Sequence, residues 1–426
     1  MTEDLLHFIW KFKLWQPKSL FSIGETPLFI LNCGEHNTNA GPDFTNARIR
    51  LGDTEWAGNI EIHKRSSDWF VHNHHHDKAY DNVVLHVVYE YDKEVRNSKN
   101  QPVPCFELKG FIEDGLLQRY EQLYKNKQQI PCGKQFNEVP PVIKEPWLER
   151  MLIERLQAKT QFIQEIFETT AHNWDETLYL LLCKNFGFKI NGDAFLQLGR
   201  SVPLGILLKL GTNIAQAEAL LYGQAGLLSN GFKDEYAQYL YKEFVFLKKK
   251  YLLPQAIPHS WKFLRLRPRN FPTVRIAQLA AFVSGYQHTF SKITETTSLT
   301  EVKKLFRAKA SAYWETHYVF DEPSAHSGKE LGNSSIENIL INTVCPLLFF
   351  YGKLRKEESL CEKALSWLCE LDPESNNITK LFEEFSFKPS SAGQSQGLLQ
   401  LHANYCIAKK CLQCGVGTHL LKKKQA

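Results

Sequence analysis

Two acids and a run of imidazoles crowd a short stretch of this chain. Asp43 ends the turn-like run Asn39-Ala-Gly-Pro-Asp, Glu61 and His63 close Trp56-x-Gly-Asn-Ile-Glu-Ile-His63, and His72, His74, His75, His76 and Asp77 follow. A carboxylate at the start of one strand, with Glu-x-(Lys or His) on its hairpin partner, can hold a hard cation beside a phosphodiester. The metal polarises the phosphoryl group and lowers the pKa of bound water, and a basic neighbour positions that water. On this reading Asp43 and Glu61 hold Mg²⁺ or Mn²⁺, and His63 or Lys64 orients the water. His72, His74 and His76 would share a face of an extended segment, with Asp77 adjacent, and imidazole plus carboxylate suits Zn²⁺, Mn²⁺ or Fe²⁺. The plainer readings are a solvated polar hairpin face and a surface loop of freely titrating histidines. His86, set among apolar residues, reads as a core histidine.

The elements that must position these groups show in the hydropathy pattern. Ala47, Ile49 and Leu51 alternate with polar residues, as do Trp56, Gly58, Ile60 and Ile62 on the return, which predicts a hairpin. A two-residue turn at Gly52-Asp53 pairs Ile49 with Trp56 and Ala47 with Gly58, so the two apolar faces coincide. The same register sets Asp43 level with Ile62. Strict alternation then points Asp43 to the face opposite Glu61, unless Gly41 and Pro42 break the regularity. Leu5, Leu6, Ile9 and Trp10 fall at helical spacing over residues 3–13, with Glu3 and His7 on one side. Val83 to Tyr91 is apolar at nearly every position, as in a strand covered on both faces.

From Trp147 onward the pattern is helical and strand-like runs almost vanish. The fold class expected is therefore α+β: a mixed α/β sheet unit over residues 1–142, then a large all-α domain over 143–426. The 426 residues, 43% hydrophobic and 23% charged, describe a globular protein, and a net charge of +5 is too mild to announce a nucleic-acid partner. With no signal peptide, the ten scattered cysteines are expected as reduced thiols in the cytoplasm. The apolar run Ile336 to Tyr351 is broken by Glu337, Asn338, Asn342 and Pro346, and reads as a buried helix with no membrane partner.

Two further groups carry possible chemistry. In Trp261-Lys-Phe-Leu-Arg-Leu-Arg-Pro-Arg-Asn-Phe-Pro272 and Arg275, the cations Lys262, Arg265, Arg267, Arg269 and Arg275 interleave with aromatics. Such a segment can contact phosphates and stack on bases of DNA or RNA. Equally, its arginines can pair with carboxylates of the helical domain. Lys248–Lys250 and Lys422–Lys424 add positive charge. Cys406, Cys411 and Cys414, near His402 or His419, offer either a metal knuckle or a structural thiol cluster at a helix end.

The runs quoted above, with Ser67-Asp-Trp69 and Tyr80-Asp-Asn-Val-Val-Leu-His86, resemble an uncharacterised bacterial family that carries only a domain-of-unknown-function label. The likeness continues through Asn185-Phe-Gly-Phe188 and Tyr405-Cys406 to Cys414, and implies no reaction. The N-terminal part separately resembles the PD-(D/E)XK nuclease superfamily, in which a helix precedes a hairpin bearing Pro-Asp and then Glu-x-Lys. Pro42-Asp43 matches the first element, Glu61-Ile-His63 the second with His in place of Lys, and Glu3 the acid on the first helix. That resemblance implies metal-dependent cleavage of phosphodiesters in DNA or RNA. The alternatives are a non-catalytic nucleic-acid-binding protein with a nuclease-like fold, and a metal-dependent hydrolase of another substrate.

Overall fold

In a computed structural model of the protein, residues 1–16, 18–254 and 261–423 are described; Lys424 of the basic tail lies outside them. The chain forms two compact units, the first from Met1–Trp147 with the segment from His402 onward, the second from Leu148–Leu401.

The first unit is built on a seven-stranded sheet. Helix α1 (Glu3–Lys11) starts where the Thr2 hydroxyl accepts the Leu5 N–H, and it buries Leu5, Leu6, Phe8, Ile9 and Trp10. The strands are β1 (Leu20–Phe21), β2 (Pro27–Asn32), β3 (Glu35–His36), β4 (Phe44–Leu51), β5 (Thr54–Arg65), β6 (Val83–Glu90) and β7 (Cys105–Glu107). They lie in the order β1-β2-β4-β5-β6-β7, with β3 beside β4. The β4–β5 hairpin is antiparallel, whereas β6 runs parallel to both β5 and β7.

The hairpin register follows the hydropathy pattern until it nears the acids. Ile49 pairs with Trp56 and Ala47 with Gly58, as expected, but Phe44 then pairs with Ile60. Three steps along β4 match two along β5, so one residue is extra. Asn46 absorbs it with a left-handed φ of 57°, a conformation that asparagine tolerates better than most residues. The uniform register set Asp43 beside Ile62; the bulge brings it level with Glu61 instead. The irregularity thus sits at Asn46, not at Gly41–Pro42.

The crossover from β5 to β6 carries helix α2 (Asp68–Val71) and two 3₁₀ turns, His74–His76 and Lys78–Tyr80. Trp69 and Tyr80 anchor it in a small apolar cluster with Val83, Val95, Val103 and Cys105. Strand β6 docks closely at Gly58, where any Cβ would overlap Val84 and the Asn82 carbonyl. Six successive residues of β6 are buried, Val83 to Val88, matching a strand covered on both faces.

The end of the chain returns to this unit. Helix Gly415–Lys422 packs on α3 (Leu116–Lys125), and the Arg119 guanidinium donates to the Leu421 carbonyl at 3.0 Å. Residues from 402 onward were expected with the helical domain; their contacts lie in the first unit. The expected boundary at 142/143 also falls inside one continuous helix, Pro141–Thr169.

The second unit is helical around one large apolar core, apart from a small hairpin, His317–Val319 with Glu322–Pro323. Its Asn333–Arg355 segment is long and apolar enough to cross a membrane by length and composition, yet it is mostly buried within the unit. A π-helical turn, Leu340–Val344, interrupts it.

Candidate metal centre

The β5 strand aims Glu61 and His63 to one side, two residues apart, and the crossover covers them. Glu61 is 4% exposed and His63 2%, so the polar hairpin face is not solvated there. His63 Nε2 lies 3.1 Å from His72 Nδ1 and 3.4 Å from Glu61 Oε1. His74 Nε2 lies 3.2 Å from the same Glu61 oxygen. One ligand nitrogen each from His63, His72 and His74 fits within 4.8 Å of the others. A tetrahedral Zn²⁺ with bonds of about 2.0–2.1 Å would set its ligand nitrogens about 3.3–3.4 Å apart. The His63–His72 separation is close to that spacing, and the three nitrogens together stay within 4.8 Å of one another. His72 is exposed and opens the group to solvent.

Behind this set stands a supporting chain. His63 Nδ1 is 2.8 Å from His86 Nε2, and His86 Nδ1 is 3.7 Å from Cys105 Sγ. If His63 Nδ1–H donates to His86, the His63 Nε2 lone pair is left facing His72 and Glu61, the tautomer a metal ligand needs. His86 is fully buried; beyond filling core, it orients His63. His74 is held by stacking on Tyr80, with ring centroids 3.7 Å apart. Its Nε2 is buried and close to Glu61 but not aligned for a hydrogen bond.

Asp43 completes the acidic side. Its N–H donates to Glu61 Oε2 at 3.1 Å, and its Oδ2 accepts the Ile62 N–H at 2.9 Å. His7 Nε2, from α1, lies 3.2 Å from Asp43 Oδ2, and the His36 ring sits 5.4 Å from that of His7. Six of the chain's fifteen histidines, His7, His36, His63, His72, His74 and His86, thus gather around two carboxylates.

The electrostatics separate the groups. Burial, reinforced by the neighbouring His72 and His74, pushes His63 down to about 3 and keeps it neutral. His86 is driven well down by burial and by His63. Burial raises Glu61, and the nearby Asp43 charge raises it further against the His74 contact, so it ends above its ordinary value. Asp43 goes the other way: burial would raise it, but His7 and the Ile62 N–H hold it low. Two close acids with opposed shifts stand beside His63 and His86, which burial keeps neutral, and a divalent cation there would be stabilised by both carboxylates.

Several expected residues stand apart. Lys64 is exposed and, as the strand neighbour of His63, faces the opposite side. His76 and Asp77 are exposed too: the segment is folded into 3₁₀ turns, not extended, so His72, His74 and His76 do not share a face. Asp77 caps the next turn by accepting the Ala79 N–H at 2.9 Å. His7, not Glu3, is the α1 residue that reaches Asp43. Their common helix face was visible in the sequence; which of the two points inward was not.

The basic segment divides likewise. Lys262, Arg265, Arg267 and Arg269 are exposed and make no ion pair among the described residues, against the alternative that they pair with carboxylates. Arg275 is 5% exposed, contrary to a surface grip on a backbone. Its guanidinium bonds only to neutral groups: Asn270 Oδ1 at 2.6 Å, Gln278 Oε1 at 2.9 Å and Ser335 Oγ at 3.1 Å. Burial pulls it down to about 10. Arg267, Arg269, Arg275 and Lys329 line a cavity of about 500 Å³ together with one acid, Glu330. Lys329 is 1% exposed and donates to the Ser327 carbonyl at 3.1 Å. Two buried cations without carboxylate partners favour an anion in that cavity.

The sequence matches the family described as "Protein of unknown function (DUF2851)" over residues 3–377, and the chain belongs to that family. No curated protein and no solved structure matches it.

Proposed function

We propose that the first unit is a metal-dependent hydrolase acting on phosphodiesters of DNA or RNA, with Mn²⁺ or a similar divalent ion at the His63, His72, His74 and Glu61 cluster. The observation that carries this reading is the meeting of one nitrogen each from His63, His72 and His74 within 4.8 Å of one another, with Glu61 against His63 and His74 and Asp43 beside it. Asp43 and Glu61 supply the negative charge that attracts the ion, and His63 presents a neutral nitrogen. Exposed His72 marks the side from which substrate and water enter. Such an ion would activate water and offset charge on the phosphoryl oxygens.

Three features support a nuclease-like reading of the PD-(D/E)XK kind. A helix precedes the hairpin, the Pro-Asp and Glu-x-His elements meet at one end of it, and a helical crossover leads to a strand parallel to β5. The anion-seeking cavity at Arg275 and Lys329 supports a phosphate-bearing ligand independently. The nitrogen-rich donor set favours a second reading, a hydrolase of another substrate that uses Zn²⁺.

Incubation of the full chain with labelled single-stranded and duplex DNA and RNA, with Mn²⁺, Mg²⁺ or Zn²⁺, tests the assignment. Metal-dependent cleavage that Glu61→Ala abolishes is expected. Equal cleavage by that variant would end the catalytic assignment. Metal retention without nucleic-acid affinity would favour the second reading, and salt-sensitive binding without cleavage a non-catalytic binder.

A further inference from the structure

A second cavity in the helical unit, separate from the one at Arg275, takes no part in the foregoing. It has a volume of about 620 Å³ and apolar walls formed by Phe162, Ile163, Leu181 and Phe188. Its polar lining includes Arg155, Lys159, Asn185 and Asn342, and among the described residues no acid lines it. Two further lysines border it: Lys184 pairs with Asp193 at 2.8 Å, and Lys189 is exposed. Apolar walls with a few convergent polar groups, at this volume, suit a small organic molecule.

The charges on Arg155 and Lys159 are left without a counter-ion. Neither makes an ion pair among the described residues, and their partners are amide oxygens. Lys159 Nζ donates to Asn342 Oδ1 at 2.9 Å and to Gln396 Oε1 at 3.2 Å, and Arg155 Nε donates to the same Gln396 oxygen. Behind these amides stands the Glu374 carboxylate. It accepts from Asn342 Nδ2 at 2.8 Å, from Asn338 Nδ2 at 3.2 Å and from Gln396 Nε2. Because the NH₂ groups of Asn342 and Gln396 face the acid, their oxygens face the cations. Glu374 therefore orients the amides without pairing with the lysine. An ammonium has three N–H donors, of which Lys159 spends two, and Arg155 spends Nε alone. The remaining donors can hold an anion by charge-assisted hydrogen bonds.

The backbone departs from regular helix where it builds this lining. Asn342 and Thr343 reach the cavity from the π-helical turn Leu340–Val344, an insertion of a kind that recurs at functional sites. Phe188 ends the run Asn185-Phe-Gly-Phe188 with a left-handed φ of 49°, rare for a bulky side chain. Gly187 before it admits no Cβ, which would overlap the Asn191 carbonyl. In the same run Asn185 Oδ1 is buried and has no hydrogen-bond partner among the described residues; a ligand hydroxyl would supply the donor.

We infer that this cavity binds a small organic carboxylate with an apolar body, the carboxylate held by Lys159 and Arg155 and the body lying against Phe162, Leu181 and Phe188. Inorganic phosphate fits less well, because apolar walls would strip its other oxygens of water and return no hydrogen bonds. The assignment is independent of the metal centre in the first unit.

Calorimetric titration of the full chain tests it. The probe is naphthalene-2-carboxylate, with naphthalene-2-methanol as its uncharged counterpart and acetate as the charge without the body. The probe is expected to bind once per chain, and both comparison compounds about tenfold more weakly or worse. Lys159→Met keeps the length of the side chain and removes its charge, and should weaken the probe by a similar factor. Inorganic phosphate should not displace it. If the Lys159→Met chain does not fold, the wild type decides: bound probe should protect Lys159 from acetylation by acetic anhydride, read by mass spectrometry of the digested chain. No saturable binding of the probe, equal binding of the alcohol, or unchanged affinity in a folded Lys159→Met chain would overturn the assignment. So would displacement by phosphate, or acetylation of Lys159 that bound probe leaves unaltered.

Discussion

The Asp43 amide donates to the Glu61 carboxylate at 3.1 Å, while the Asp43 carboxylate accepts the amide next to Glu61, at Ile62, at 2.9 Å. Each acid fixes the strand that carries the other. The pocket is thus held by reciprocal side chain-to-backbone bonds before any ligand arrives, and this preorganisation is what a metal site needs from its scaffold.

Substitution at Glu61 should separate structure from chemistry. Glu61→Ala leaves the part-buried Asp43 N–H without its acceptor and should cost about 1 kcal/mol of stability. Glu61→Gln keeps an acceptor oxygen and should stay close to wild type in thermal denaturation. Both should lose metal-dependent cleavage. A fully active Glu61→Gln would show that the carboxylate charge is not required.

His86 should matter without touching the ion. Replacing it with Phe keeps an aromatic ring in the core but removes the acceptor 2.8 Å from His63 Nδ1. Calorimetric titration with Zn²⁺ or Mn²⁺ should show affinity reduced about 10- to 100-fold. Unchanged affinity would reduce His86 to packing.

The bulge at Asn46 offers a geometric test. Asn46→Val forces a β-branched side chain into a left-handed conformation, at a cost of about 1–2 kcal/mol. Deleting Asn46 should instead remove the extra residue and leave Asp43 level with Glu61 in an unbroken register, so metal binding should survive as long as the hairpin forms. Loss of metal by a deletion variant that still folds would show that the bulge itself, and not only the register, shapes the site.

The cavity in the second unit should respond to phosphate. Inorganic phosphate should raise the wild-type melting temperature in a concentration-dependent way, because a ligand of the folded state stabilises it by mass action. Arg275→Gln should lose most of that increment whatever its own starting stability. An equal increment in both proteins would place the anion elsewhere.

Glu218 gives the second unit a pH signature. It is fully buried, with Tyr236 Oη donating to it at 2.7 Å and Trp314 Nε1 at 3.3 Å. Burial raises its carboxyl from 4.5 to about 6. The folded state therefore keeps a proton that the unfolded state has already released between those values. Its contribution is complete below pH 4.5 and is lost as pH rises through about 6. A carboxyl raised that far changes stability by about 2 kcal/mol between the two ends of the window. Glu218→Gln should gain on the wild type by that amount as pH rises through it, read by denaturant titration. A constant difference from about pH 4 to 8 would refute the assignment.

Much of this was legible in the sequence, and the misses share a cause. Period-two alternation located the hairpin and its turn, and Asp43, Glu61 and His63 were singled out by type and spacing. The bulge was not legible, since Asn46 looks like any polar strand residue and its left-handed backbone arises from packing. The histidine run was read as extended because consecutive polar residues give no periodicity; its 3₁₀ turns follow from anchoring by Trp69 and Tyr80. Glu3 was favoured over His7 because the resemblance expected an acid. Arg275 read as surface because charge usually means solvent, whereas here neutral amides and a hydroxyl pair with its terminal nitrogens. Arg119 gave no sign of bonding to the Leu421 carbonyl, because no local pattern reports a contact between segments so far apart in the chain.

That last contact bears on how the protein is made. The first unit draws on both ends of the chain, with the whole helical unit threaded between them, so a ribosome must pass residue 402 before the N-terminal half can be completed. The helices can collapse while synthesis continues, but α3 must wait for its distant partner, the helix Gly415–Lys422, and the loop to be closed is long. Truncation of the segment that begins at His402 would therefore be felt first at the opposite end of the polypeptide, where the candidate metal site lies.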